Sequence, residues 1–178
     1  NSIELWLGDP ESLRVRKIDD KLNMVVGYGG YTWLPDNKSI IYQTIVPGRG
    51  ERPQPSPVPE GPIVQENLGK KGAARTYQDL LEDPTDEAIF EYYASSVIKI
   101  WDGSSTEQIG KPGIYRSVRP SPDGNYLLVQ TVEKPFSYTV PYYYFPSSAL
   151  IWDMDGNLIR TLAELPLKEN LPRGYDMT

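Results

Sequence analysis

Histidine and cysteine are both absent from this chain of 178 residues, and each absence removes a class of chemistry. Without an imidazole, no Ser-His-Asp triad can take the proton from a serine hydroxyl. Without a thiol there is no disulfide and no thiolate nucleophile, although this leaves the compartment open. No G-x-S-x-G nucleophile elbow occurs. No apolar run approaches the ~18 residues of a membrane span. Long basic runs are missing too: 18 Lys and Arg stand against 24 Asp and Glu, a net charge of −6, which makes nucleic acid a poor partner. The opening residues, NSIELWLGDPES, lack the basic start and apolar stretch of a signal peptide. They begin directly in a strand-like run, as the middle of a longer protein would.

What is present is repetition. Residues 31–46 read YTWLPDNKSIIYQTIV and residues 118–133 read VRPSPDGNYLLVQTVE. Pro35 matches Pro122, Asp36 matches Asp123, Ile40-Ile41-Tyr42 match Leu127-Leu128-Val129, and Gln43-Thr44 match Gln130-Thr131. Pro-Asp followed by Asn or Gly is turn chemistry: proline presets φ, aspartate bonds nearby backbone, and Asn or Gly tolerates positive φ. Each copy therefore predicts a turn feeding a strand. A second phrase recurs as a hairpin in 3–18, 97–110 and 149–162, with an apolar strand expected to end at Trp6, Trp101 and Trp152. Recurring four-stranded units of this kind are how β-propeller blades are written. With 39% hydrophobic residues there is enough apolar material for a core.

The spacing is wider than an ordinary blade of about 40–50 residues, and the excess lies in 47–95. Residues 47–62, PGRGERPQPSPVPEGP, are too Pro-rich for a helix or central strand and predict an extended surface loop. Residues 67–76 form a basic, Gly-containing connector. Residues 76–95 predict a helix with Asp83 as N-cap, Pro84 at the first helical position, and an apolar face of Ile89, Phe90 and Tyr93. The run KPFSYTVPYYYFPSS (134–148) is dense in aromatics and prolines. Two readings stand: an edge strand packed on the inserted helix, or a substrate-facing wall.

Four weaker motifs have bland readings. Ser96 and Lys99 match S-x-x-K in spacing, but in an alternating strand they face opposite sides. Asp153-Met154-Asp155-Gly156-Asn157 puts its glycine too early for an EF-hand and predicts a hairpin turn. Gly69-Lys70-Lys71-Gly72 is no phosphate loop. Asn37-Lys38-Ser39 is a glycosylation sequon inside a turn signal.

The phrases ENLGKK, RTYQDLL and KPFSYTVPY, within a stretch from about 59 to 176, resemble the glutamyl endopeptidases, serine peptidases of the prolyl oligopeptidase family known from bacteria and plant chloroplasts. The resemblance implies a parent with a β-propeller and a C-terminal α/β-hydrolase domain that carries the triad. The expected fold is all-β: residues 1–178 form a partial β-propeller of two to three four-stranded antiparallel blades, with 47–95 a Pro-rich loop and short helical insertion. On this resemblance the catalytic domain is expected outside this chain, which is expected to carry no catalytic residue and to need no cofactor or metal.

The function the resemblance implies is substrate gating, with peptide substrates and the parent's own hydrolase domain as partners. A stand-alone propeller-like binding or scaffold protein is the alternative. A glutamyl preference requires cations near the substrate carboxylate, which makes Arg116, Arg119, Lys134 and Arg173 candidates, with Tyr138 and Tyr142 from the aromatic run. Ordinary surface placement is the competing reading. For location, a bacterial periplasmic or extracellular setting comes first, ahead of chloroplast or cytoplasm. Open blade edges predict self-association of the isolated segment, whereas a small closed sandwich would remain monomeric.

Overall fold

The computed structural model describes residues 2–27, 29–55 and 77–169. Its strands are β1 (Ile3–Asp9), β2 (Arg14–Leu22), β3 (Tyr31–Trp33), β4 (Ile40–Ile45), β5 (Ser95–Trp101), β6 (Thr106–Pro120), β7 (Tyr126–Val132), β8 (Ser147–Asp153) and β9 (Leu158–Leu165), with one helix, α1 (Pro84–Ala94). All nine strands join one antiparallel sheet in the order β1-β2-β4-β5-β6-β7-β8-β9, with β3 on β4. The chain is all-β, as expected. The strands expected in separate blades are hydrogen-bonded into one continuous path.

The repeated phrases fold in the same register. Tyr31, Thr32 and Trp33 of β3 pair with Tyr42, Ile41 and Ile40 of β4, and Val118, Arg119 and Pro120 of β6 pair with Val129, Leu128 and Leu127 of β7. These are corresponding positions of the two copies. The match continues outward: Ile40 pairs with Trp101 as Leu127 pairs with Trp152. The two Pro-Asp turns close these hairpins and lie against each other, since a Cβ on Gly124 would sit 3.7 Å from Pro35. The sheet thus contains two equivalent four-strand groups that share β6. The first half of β6 pairs with β5 and the second half with β7.

β6 serves both groups because it bends. Between the pairs Ser96↔Gly113 and Ile98↔Ile109, Gly110, Lys111 and Pro112 bulge out opposite Val97. Proline fits here because it has no N–H to give to a ladder. Gly110 has φ +66°, and the Tyr115 hydroxyl donates back to the Lys111 carbonyl, closing the bend.

Packing follows the alternation of strand side chains. Ile40, Tyr42 and Trp101 pack with Leu5 and Leu22 of the β1–β2 hairpin. Ile41, Ile98 and Ile109 pack with Leu127, Val129 and Trp152 of the second group. β4 is therefore covered on both faces, which explains the unbroken apolar start of its IIYQTI sequence. At the far edge, β9 is exposed along its whole length. Trp6 departs from its counterparts: β1 continues past it to Asp9, and its ring is half exposed, whereas Trp101 and Trp152 are buried.

The helix begins as the sequence predicts. Asp83 is the N-cap, its carboxylate accepts from the Asp86 N–H, and Pro84 starts the first turn. The helix is shorter than expected, because residues 77–83 are not helical. Phe90 packs edge-on against Phe136 (5.1 Å) and Phe145 (5.9 Å) but is only half-buried. Tyr93, expected in the core, is 38% exposed and pairs with Tyr92 beneath Arg49. Phe90→Ala should therefore cost about 2–3 kcal/mol in urea unfolding, below the ~3–5 of a fully buried phenylalanine. A loss under about 1 kcal/mol would show that the helix is not held by this contact.

The 134–148 run is not an edge strand. Pro135, Pro141 and Pro146 break it into a loop with a single 3-10 turn at Tyr142–Tyr144, and β8 starts only at Ser147. Its aromatics do pack on the helix. Residues 46–55 have no regular structure, as expected of the Pro-rich segment. The rest of that loop and the basic connector lie outside the described residues.

The hairpin turns are held by aspartates. Asp102 accepts from the Ser104 and Ser105 N–H groups at 2.7 and 2.8 Å, and these bonds hold its carboxyl far below the usual range. Asp123, bonded first by the Ser121 hydroxyl and then by Asn125, is lowered to about 2. Asp36 and Asp153 are lowered by Ser39 and Asn157. A carboxyl depressed in the folded state contributes stability that is present above its unfolded pKa of about 3.9 and is lost as pH falls through the folded value. The melting temperature should hold down to about pH 5 and fall between about pH 4 and 2. A flat profile across that window would show that the turns do not depend on these charges.

Candidate functional site

The serine and lysine of the S-x-x-K spacing do not form a nucleophile–base pair. Ser96 is buried and its hydroxyl donates to the Ala94 carbonyl. Lys99 points away from it to Asp19, at 2.9 Å. In that pair burial works against the Asp19 charge, but the Lys99 ammonium and the Lys21 N–H outweigh it and keep the carboxyl low. No group of three or more Asp or Glu among the described residues could hold a metal. Asp153 uses its oxygens on the N–H groups of Asp155 and Asn157, as a hairpin turn requires.

The six candidate residues divide by location. Arg173 lies outside the described residues. Lys134, Tyr138 and Tyr142 gather on the helix. The Lys134 ammonium bonds Glu91 at 2.7 Å. The Tyr138 hydroxyl is pushed up to about 12 by its hydrogen bond to Glu87, with burial and the nearby Asp83 and Asp86 adding to it. Tyr142 sits 6.2 Å from Phe90. In this structure these three groups tie the aromatic loop to α1.

Arg116 and Arg119 are placed differently. Three residues apart on an unbroken strand, they would face opposite sides. The pairing of β6 with β7 slips between Tyr115↔Thr131 and Ser117↔Gln130, which leaves Arg116 as the extra residue of a bulge. A bulge re-aims side chains, and both arginines line one groove of about 700 Å³. Its walls are Tyr31 and Thr32 of β3, the Arg116–Pro120 stretch of β6, Gly27, Gly29 and Gln130. The Ser117 hydroxyl donates to the Gln130 side-chain oxygen at 2.8 Å across its floor. Gly27 makes the close approach that shapes one end. Its φ is +85°, and a Cβ there would lie 2.0 Å from the Arg116 carbonyl oxygen.

Sequence reasoning missed Asn23 and the Asp19–Lys99 pair. Asn23 is buried and donates from its amide to the Tyr93 and Ser95 carbonyls at 2.9 and 3.0 Å, anchoring the end of α1 to the residue that follows β2. A lone asparagine after a strand carries no pattern that marks such a role.

Comparison with known proteins gives two plant relatives. The chain is 37% identical over 175 residues to a protein of Oryza sativa subsp. japonica named probable glutamyl endopeptidase, chloroplastic. It is 36% identical over 173 residues to a protein of the same name from Arabidopsis thaliana. The matches cover 96% and 94% of this chain but only 18% of each relative, so the chain spans about a fifth of their length. Both are plant proteins, where the sequence reading put a bacterial setting first. No protein-family model matches, and no solved structure matches.

Proposed function

We propose that this chain is a non-catalytic segment of a serine peptidase of the glutamyl endopeptidase kind, and that its sheet is part of a β-propeller that limits which substrates reach a hydrolase domain elsewhere in the protein. The observation that carries this reading is the match over nearly the whole of this chain to a short part of two relatives bearing that name. The absence of histidine agrees with it, because acyl transfer by a triad cannot run here. The blade reading is supported by two four-strand groups whose first three strands share one register, packed on each other and on a third hairpin. The exposed apolar side chains on the outer edges, Ile3 and Trp6 of β1 and Leu158, Ile159, Leu162 and Leu165 of β9, are where further blades would pack. In isolation the same edges would bring copies together.

Two measurements test this. The purified chain should show no turnover of glutamyl peptides and should sediment as more than a monomer at high concentration. Activity that follows this chain through repurification overturns the non-catalytic role, and a clean monomer overturns the open-edge reading. In the longer protein, loosening this segment by Gly156→Ala should raise cleavage of a folded protein relative to that of a short glutamyl peptide. An unchanged ratio overturns gating.

A further inference from the structure

The groove between β3 and the second half of β6 has a charge opposite to that of its chain. The protein carries a net charge of −6, yet this groove is lined by Arg116 and Arg119 and, among the described residues, by no carboxylate. Both arginines are exposed, and neither forms an ion pair among the described residues. Arginines that line a concave site, with no ion pair among the described residues, attract carboxylates and present planar pairs of donors to them. The strands beside them are open as well. β3 pairs only with β4, and Ser117–Pro120 pair only with β7. The second edges of both strands, bordering the groove, therefore have no strand partner among the described residues. Free edges accept an extended chain by strand addition, and a volume of about 700 Å³ is ample for a short stretch of one.

We propose that this groove binds an extended acidic polypeptide, with carboxylate side chains on Arg116 and Arg119 and main chain along the free edges of β3 and β6. The inference rests on the proposed function only in treating what binds as substrate chain; its chemistry comes from the groove. Gln130 and Thr32 supply neutral polar contacts along the walls, so the arginines set the preference for negative charge.

The test uses the purified chain and two fluorescein-labelled hexapeptides, one alternating glutamate with valine and one with glutamine in place of each glutamate. Fluorescence anisotropy should show the glutamate peptide binding at least about tenfold tighter at low salt, with the difference shrinking at about 0.5 M salt as the charges are screened. Arg116→Gln combined with Arg119→Gln should bring it to the glutamine level while leaving the melting temperature unchanged, since both side chains are exposed. Arg160→Gln, on exposed β9, should leave binding as it was. Equal binding of the two peptides, unchanged binding by the double variant, or no binding up to millimolar peptide overturns the proposal. Displacement by inorganic phosphate as effectively as by unlabelled peptide also overturns it, because the site would then hold a small anion only. The outcomes separate from those of the gating experiment: loss of glutamate preference leaves the cleavage ratio as predicted, and an unchanged cleavage ratio leaves peptide binding as predicted.

Discussion

Trp152→Ala is expected to cost about 3–5 kcal/mol in urea unfolding, the range for a large buried aromatic. The ring is 8% exposed and belongs to the cluster of Ile41, Ile98, Leu127 and Val129, which joins the two four-strand groups. It meets Tyr115 edge-on, with centroids 5.8 Å apart and planes at 87°, a geometry that adds to simple burial. It also closes over Gly110, where a Cβ would lie 2.5 Å from the ring. Removing it leaves a cavity at the seam where the bend of β6, the first group and the second group meet. Trp6→Ala is the control: that ring is half exposed, its N–H donates to Glu4 and the exposed Lys17 ammonium lies 5.3 Å from its centre, so its loss should be within about 1 kcal/mol. If both tryptophans cost the same, the seam does not depend on Trp152.

That seam was only partly legible in the sequence. The paired phrases predicted two equivalent turns and strands, and the register bears this out position for position. Turn chemistry is local, so Pro35-Asp36 and Pro122-Asp123 announce themselves. The same is true of the helix start, because Asp83 and Pro84 act on the backbone beside them. What could not be read was the connection. IGKPGIYR looks like a loop between strands because of Gly110, Pro112 and Gly113. It is instead the bent middle of one 15-residue strand, since the bulge needs the same residues that a loop would use. The bulge at Arg116 has no residue signature either, so nothing in the spacing put Arg116 and Arg119 in one groove. Of the six candidate residues, three proved to tie a loop to the helix through contacts far apart in sequence, and such contacts are invisible to local pattern. Tyr93 shows the limit of periodicity: its spacing fits the apolar face, yet Arg49 lies over its ring from a loop that no helical pattern could anticipate.

Gly156→Ala is expected to cost roughly 2–5 kcal/mol, from about 1–2 for a β-carbon in the left-handed region and about 1–3 for overpacking. Gly156 has φ +84° in the turn between β8 and β9. A Cβ there would lie 2.3 Å from the Gly110 nitrogen and 2.8 Å from its Cα. The obstacle is backbone, so no rotamer change can relieve it. The turn would have to lift away from the bend of β6, and Trp152 lies at that same bend. Gly103 separates the two causes. It also has a positive φ, +104°, in the equivalent turn between β5 and β6, but nothing stands within 4 Å of its missing Cβ. Gly103→Ala should therefore show only the backbone strain, about 1–2 kcal/mol. The difference between the two variants in urea unfolding measures the contact between the β8–β9 turn and the bend of β6. If Gly156→Ala costs no more than Gly103→Ala, that contact does not hold the groups together. The loosened segment proposed for the gating experiment would then have to be made at Trp152 instead.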